Sequence, residues 1–302
     1  MKIIKNILFA AVCLIANTAF SQNYIPFYPS DWEFKNEVDL VHFSQVKSVT
    51  AKHLTIDDKE EYPVYETYLA WNGTYQLTDY QFVNYNNNNA DFNVKINYAN
   101  PNGNALKSVE IIHPKTLKSL EKLEYTNGSF DVEKITVTRY LKNVTKPVVF
   151  EVKYESNVDD YTQETVYTPQ KTIERQTKRW HKHNSNGSYQ LIKKRYLGKE
   201  LTLEQTDSIV LNENQKKLAH FIIKQGEAAK IIYKYQTRKV EIAGDEYDYQ
   251  QLEGIVKGGK EDERYEYEYD SKGNWIVRKK YKMKNDQWEF ADITRRKIEY
   301  RN

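Results

Sequence analysis

Short polar turns recur along the chain, and each separates two runs in which apolar and polar residues alternate. Segments 100–103, 184–187 and 270–273 have the sequences Asn-Pro-Asn-Gly, Asn-Ser-Asn-Gly and Asp-Ser-Lys-Gly. An Asx residue that starts a type I turn, followed by a glycine with positive φ, is typical of a three-residue β-hairpin loop. Asn72-Gly73 and Asn127-Gly128 carry the pair that favours two-residue hairpins. Such signals come about every 14 residues and leave strands of about ten residues between them.

The runs between the turns have the period of a β-strand. Phe92, Val94, Ile96 and Tyr98 alternate with polar residues, and segment 148–154 follows the same pattern. A period of two with one polar face indicates a sheet covered on one side. Segments 115–124 and 212–225 compete as short helices because the first has leucines at helical spacing and the second ends before a glycine.

These patterns predict an all-β fold. We expect about fourteen to eighteen strands in an antiparallel β-hairpin meander that forms a curved or elongated sheet. A β-propeller is the alternative, because four strands at this spacing would make one blade.

The first 21 residues predict an export signal. Lys2 and Lys5 precede the apolar run 7–16, and small residues at 19 and 21 mark a cleavage site. The run is too short for a transmembrane helix, which needs about 20 apolar residues. The bulky Val12 before Cys13 argues against a lipid anchor.

These features divide the chain into a signal peptide, residues 1–21, and one repetitive β-meander domain, residues 22–302. A sub-boundary near 156–170 is an alternative division. We expect the product to be exported to the periplasm, the cell surface or the medium.

Charge and composition exclude several function classes. The chain has 45 basic and 42 acidic side chains, so it lacks the basic excess of a nucleic-acid-binding protein. Aromatic residues make up 14% of the sequence, which argues against disorder. The single cysteine lies in the predicted signal peptide, so a mature chain would have no thiol chemistry.

One stretch resembles a known repeat family. Residues 266–277 have the sequence Glu-Tyr-Glu-Tyr-Asp-Ser-Lys-Gly-Asn-Trp-Ile-Val. This resembles the YD (RHS-type) repeat, whose core is Tyr-x-Tyr-Asp-x-x-Gly-Asn followed by an apolar strand; segments 98–106 and 183–191 match it weakly. The resemblance implies a curved β-hairpin sheet. With the export signal and the Asn- and Tyr-rich strands, the chain is similar to secreted proteins of Bacteroidota, which is a fold analogy and not a function.

The chemical motifs of the chain are incomplete. Gly254 to Lys260 follows the P-loop spacing, but Glu261 replaces the hydroxyl residue that would hold Mg²⁺, so a glycine-rich turn is expected. His181 and His183 lack a third metal ligand, and the acidic segment 57–61 lacks the calcium-loop pattern. We expect no catalytic residue, no metal site and no cofactor.

The candidate binding residues are Tyr265, Tyr267, Tyr269 and Trp275, here called the Tyr/Trp strip. A three-residue loop at 271–273 would pair Tyr269 with Trp275, Tyr267 with Val277 and Tyr265 with Lys279. An exposed strip of this kind can stack on sugar rings. Packing of the same side chains in the core is the competing interpretation.

We therefore expect an exported, non-enzymatic β-repeat protein that is a binding or structural module of the cell envelope. A glycan or another envelope component is the expected partner, and the oligomeric state is left open. A secreted hydrolase with carboxylate catalysis and an outer-membrane β-barrel are the alternatives. Charges on both faces of segment 294–299 argue against the barrel, since lipid-facing Lys or Arg is costly.

Overall fold

The computed structural model describes residues 40–41, 43–57, 60–74, 76–85, 91–100, 103, 105–127, 132–140, 145–156, 161–184, 188–212, 216–242 and 244–301. The predicted signal peptide and Cys13 lie outside the described residues. The described segments contain no helix that is long and apolar enough to cross a membrane.

Eighteen β-strands and one short 3-10 helix, Phe43–Gln45, make up the regular structure of the described residues. The strands are β1 Val46–Asp57, β2 Glu60–Trp71, β3 Leu77–Asn84, β4 Phe92–Tyr98, β5 Leu106–Ile112, β6 Ser119–Asn127, β7 Val132–Arg139, β8 Val148–Ser156, β9 Tyr161–Tyr167, β10 Ile173–His183, β11 Tyr189–Leu197, β12 Thr202–Leu211, β13 Lys217–Lys224, β14 Glu227–Ile242, β15 Asp245–Lys257, β16 Lys260–Tyr269, β17 Trp275–Lys284 and β18 Gln287–Tyr300.

The strands form a closed antiparallel barrel. Each strand pairs with the strands before and after it in sequence, and β18 pairs with β1, with Ile298 opposite Val49 and Arg296 opposite Ala51. The all-β antiparallel meander is confirmed, and its sheet is closed into a barrel; the propeller alternative is wrong. Closure pairs the backbone groups that two long edge strands would otherwise leave open. The predicted sub-boundary falls at β8 and β9, where Val152 pairs with Val166, and the division into domains stays a prediction.

One face of the barrel wall is buried, and this face is turned inward. Val109, Leu123, Ile135 and Val137 are 0% exposed, and they alternate along their strands with polar residues. These four side chains lie on the inner face of the closed sheet. The apolar cluster extends over β1–β9 and includes Leu40, beside which Phe43 packs edge-on against Trp71.

The other face of the wall carries charged side chains. On β1 and β2, Lys52 and Glu66 form an ion pair of 3.9 Å. Arg295 of β18 binds Glu61 of β2 through two nitrogens. Other outward ion pairs link Lys122 to Glu124, Lys134 to Glu151, Lys234 to Glu261, Arg264 to Glu266, Lys279 to Glu268 and Lys297 to Glu299. These ion pairs give much of the outer wall the chemistry of a surface in water. A small buried apolar cluster on the same face comprises Leu54, Val277 and Ile293.

The predicted three-residue hairpin loop is confirmed at Asp270–Gly273. The Gly273 N–H donates to the Asp270 carbonyl at 3.1 Å, and Gly273 has a φ of +78°. Asp270 Oδ1 accepts from the backbone N–H groups of Lys272 and Asn274, both at 2.9 Å. Residues 185–187 and 128–131 of two other predicted turns lie outside the described residues. The loop at Asn72 is longer than two residues, because the Asn72 N–H bonds to the carbonyl of Gln76.

The two segments that compete as short helices form no helix in the described residues. Segment 115–124 contains a turn and the start of β6, and Leu117 lies in the turn with a φ of +55° and 76% exposure. Segment 212–225 contains β13, which pairs with β12 and β14. Pairing with a neighbour on each side outweighs the weak helix propensity of such short segments.

Candidate functional site

The inner face of the barrel becomes more polar after β9, although Leu191, Ile209 and Leu211 form a second apolar cluster on it. On β9, Val166 lies opposite Val152, and Glu164 lies opposite Tyr154 on the same inward face. By their register, the following polar residues of the next four strands also face inward: Thr177, Arg179, Lys193, Arg195, Asp207 and His220. The polar part of the inner face is the region where a ligand can find hydrogen-bonding partners.

The Tyr/Trp strip lies on this inward face, on β16 and β17. Tyr269 pairs with Trp275 as predicted. Tyr267 lies opposite Arg278 and Tyr265 opposite Lys280, so the predicted pairings with Val277 and Lys279 are wrong by one residue. The cause is a β-bulge at Ile276, which inserts one extra residue into β17.

The four residues of the strip differ in exposure. Trp275 is 3% and Tyr265 8% exposed, whereas Tyr267 and Tyr269 are partly exposed. The guanidinium of Arg296 lies 3.5 Å from the Trp275 ring centroid, and that of Arg278 lies 5.3 Å away. Trp275 and Tyr265 are therefore packed into the wall, whereas Tyr267 and Tyr269 keep partial exposure. The binding role of the strip stays a prediction.

The long β14–β15 hairpin covers part of the strip. Pairing of β15 with β16 extends from Lys257 to Gly254, where a Cβ atom would lie 2.8 Å from the Glu263 carbonyl oxygen. Beyond Gly254 the hairpin leaves β16, and Arg238 of β14 lies 4.1 Å over the Tyr269 ring and donates to the Gly273 carbonyl. Gly254 is thus a packing residue. The predicted glycine-rich turn at Gly258 and Gly259 is confirmed.

Two inward carboxylates beside the strip have opposite pKa shifts. Burial would raise the pKa of Glu263, but a hydrogen bond from Tyr265 and the ammonium of Lys280 at 3.1 Å hold it below its usual range. Asp292 lies opposite Lys280, and burial raises its pKa. The sequence did not reveal this pair, because Glu263 and Asp292 belong to no motif.

His53 of β1 packs at the same end of the inward face. Its ring stacks on Tyr65 at 4.0 Å, and its Nδ1 lies 3.0 Å from the Thr294 hydroxyl. Burial, followed by the charges of Arg278 and Arg296, lowers the pKa of His53 to about 3. The imidazole is therefore neutral at physiological pH and has a packing role.

A second polar group lies on β9–β13. Glu164 accepts from Arg179 at 2.9 Å, and both side chains are buried. Asp207 binds His220 and Gln205, each at 2.9 Å. Burial would raise the pKa of Asp207, but the hydrogen bonds from His220 and Gln205 hold it below its usual range. No sequence pattern marks this group, because polar residues lie on both faces of β10 and β11 around it.

The other sequence motifs do not assemble into sites. The His183 ring makes an edge contact with Tyr189 at 4.6 Å. Glu61 of the acidic segment binds Arg295, and residues 58–59 lie outside the described residues. Among the residues that the structure describes, no group of three or more His, Cys, Asp or Glu side chains is placed to hold a metal ion.

No protein-family model matches the sequence, and no curated protein matches it. Among solved structures, the chain is similar to a porin-like protein from Bacteroides uniformis, with 11% identity, coverage of 84% of this chain and 98% of that chain, and a TM-score of 0.40. A porin-like protein from Bacteroides vulgatus has 8% identity, coverage of 83% and 97%, and a TM-score of 0.33. The TcdB2-TccC3-Cdc42 structure has 9% identity, coverage of 74% and 17%, and a TM-score of 0.26.

These likenesses are too distant to assign a family or an activity. The barrel itself fits a β-repeat protein, and membership of the YD-repeat family stays a prediction.

Proposed function

We propose that the chain is an exported, non-enzymatic β-barrel of the cell envelope that acts as a binding or structural module, with its outer wall in water. The observation that carries this proposal is the distribution of charge across the wall. Ion pairs are spread over the outward face, and the largest apolar cluster, on β1–β9, is buried on the inward face.

The outward charges are distributed around the barrel. Lys95 of β4, Lys153 of β8, Lys194 of β11 and Lys230 of β14 all alternate with inward-facing neighbours. A Lys or Arg on the lipid-facing side of a membrane barrel costs about 2–4 kcal/mol at the midplane. Some of these lysine side chains would reach the lipid headgroups of a membrane. The free-energy cost of placing the others against lipid would still favour water outside the wall.

An outer-membrane β-barrel is the second candidate, and the closure of the sheet is what favours it. An even number of antiparallel strands joined as hairpins is the construction of outer-membrane barrels. The two candidates share the barrel and differ in whether water or lipid lies outside it.

Detergent-free purification and vesicle flotation separate the two candidates. We expect the full chain to be released from cells without detergent, to be monodisperse in buffer, and to stay with the soluble fraction when phospholipid vesicles float. Extraction by detergent alone, together with flotation, would support the membrane barrel. A Lys52→Leu, Glu66→Leu double variant provides the control: on a water-facing wall it should lower solubility, and on a lipid-facing wall it should strengthen flotation.

A glycan is the ligand class that suits the exposed part of the Tyr/Trp strip. The Tyr267 and Tyr269 rings stack at 6.1 Å with an interplanar angle of 27°, and aromatic faces of this kind bind sugar rings. We expect Tyr267→Ala to weaken binding on a glycan array by about 1–3 kcal/mol without a change in fold. Tyr281→Ala, on the outward face of the same hairpin, is the matched control. Equal binding by both variants would remove the strip as the glycan site.

A further inference from the structure

Four basic side chains lie together on the inward face of β10 and β11. This basic cluster comprises Arg175, Arg179, Lys193 and Arg195. Arg179 lies directly opposite Lys193, and Arg195 lies opposite Thr177. Like charges placed directly opposite each other across two strands repel, so this register is unfavourable unless anions lie nearby.

The acidic side chains around the cluster already have several partners. Glu164 is shared between Arg179 at 2.9 Å and Arg175 at 3.5 Å. Glu204 lies 3.8 Å from Arg195 and 4.0 Å from Lys224. Asp207, opposite Lys193, also binds His220 and Gln205. The cluster therefore has more basic than acidic groups.

The charge of the cluster affects its own members. Burial, followed by the positive charges of Arg179 and Arg195, lowers the pKa of Lys193. An anion at the cluster would reverse this effect, because an opposite charge favours the protonated form.

The guanidinium groups also have unused donors. The Nε atoms of Arg175, Arg179 and Arg195 are buried and have no hydrogen-bond partner among the described residues. A buried donor without an acceptor is costly, and three such donors lie on two adjacent strands. The side chains of Arg175 and Arg195 are 42% and 30% exposed, so a ligand inside the barrel can reach the cluster.

We propose that Arg175, Arg179, Lys193 and Arg195 form an anion-binding site inside the barrel for a tetrahedral oxyanion, phosphate or sulfate. Planar guanidinium groups donate two parallel hydrogen bonds to such an anion, and a lysine adds a compact charge. The anion is either free or a substituent of a larger ligand. The site is separate from the Tyr/Trp strip and does not depend on the glycan proposal.

Isothermal titration calorimetry of the full chain tests the site. The titrants are sodium phosphate and sodium sulfate, and chloride keeps the ionic strength constant. We expect saturable, sub-millimolar binding of at least one of the two anions. A sugar phosphate and a sugar sulfate, titrated in parallel, distinguish a free anion from a substituent. Binding no stronger than that of chloride would overturn the proposal.

Neighbouring lysines on opposite faces of β11 give a matched pair of variants. Lys193→Gln removes an inward charge, and Lys194→Gln removes an outward charge beside Trp180. We expect Lys193→Gln to weaken anion binding about tenfold and Lys194→Gln less than twofold. Equal losses would mean that the anions respond to net charge, and the site would be refuted.

Arg195→Gln is the second test, and it decides the matter if Lys193→Gln does not fold by circular dichroism. Its side chain is partly exposed, so the substitution disturbs the wall less than a change at Arg179. We expect a comparable loss of anion binding with an unchanged spectrum. Undiminished binding by folded Arg195→Gln would contradict the assignment.

Discussion

Replacement of Trp275 by alanine tests whether the inward face of β16–β18 acts as core. Trp275 is 3% exposed and lies under the guanidinium of Arg296, with Arg278 and Tyr267 also in contact. Trp275→Ala would remove the ring and leave two guanidinium groups beside a cavity. We expect it to destabilise the barrel.

The magnitude follows from these contacts. Truncation of a buried tryptophan to alanine costs about 3–5 kcal/mol. The contact with Arg296 belongs to the stronger class of cation–π interactions, which contribute about 2 kcal/mol when desolvated. We therefore expect a loss in the upper half of that range. At about 2 °C per kcal/mol for a chain of this size, the melting temperature should fall by roughly 8–10 °C.

Thermal melting followed by circular dichroism measures the loss. Trp288→Ala is the control, since Trp288 is partly exposed near the β17–β18 turn and contacts Arg264 at 5.3 Å. We expect the control to lose less than half as much. A melting temperature within 2–3 °C of wild type for Trp275→Ala, which is about 1 kcal/mol, would show that the ring does not pack as described.

Three further substitutions test individual contacts. The pKa of His53 falls from 6.5 to about 3 on folding, so protonation of His53 opposes folding below pH 6.5. In urea titrations, His53→Gln should therefore recover about 2–3 kcal/mol of stability at pH 4.5 relative to pH 7. Burial raises the pKa of Asp292 above its usual value, so ionised Asp292 opposes folding at neutral pH. In calorimetry, Asp292→Asn should raise the melting temperature at pH 7 and leave it unchanged at pH 3. Gly273→Ala should cost about 1–2 kcal/mol in urea because φ is +78°, whereas Gly73→Ala, with no heavy atom within 4 Å of its Cβ position, should be nearly neutral.

Local features of the fold are predictable from the sequence. The Asp270–Gly273 loop is an example, because the Asp side chain, the turn and the glycine with positive φ act within five residues of one another. The strand period at Phe92–Tyr98 is another, since β4 has these bounds in the structure. Such signals need no knowledge of the distant chain.

Features that depend on distant partners are not predictable in this way. The pairing of Val49 with Ile298 closes the barrel, but nothing near either residue specifies the other. The bulge at Ile276 shifts two predicted pairs by one residue, and neither Ile276 nor its neighbours Trp275 and Val277 mark it as a bulge in the sequence. Leu117, Leu120 and Leu123 have helical spacing, yet Leu123 is buried because β5 and β7 flank it.

The basic cluster shows a further limit of pattern analysis. On β16, the alternation of Tyr265 and Tyr267 with Glu266 identifies the inward face. On β10 and β11, by contrast, Arg179 and Lys193 face inward while Lys178 and Lys194 face outward, so composition alone does not distinguish the two faces. Register with β9 decides it, through the pairing of Glu164 with Thr177.

The width of an eighteen-strand barrel explains why its inner face can be divided in two. About eight strands enclose a space that side chains fill, and barrels of sixteen to eighteen strands leave room for water when they are circular in section. The full burial of Val109, Leu123, Ile135 and Val137 shows that the inner face of β5–β7 is closed to water. Side chains such as Arg175 and Arg195 keep substantial exposure on the polar strands. The partial exposure of these two side chains places the proposed anion where it can enter and still meet buried guanidinium donors.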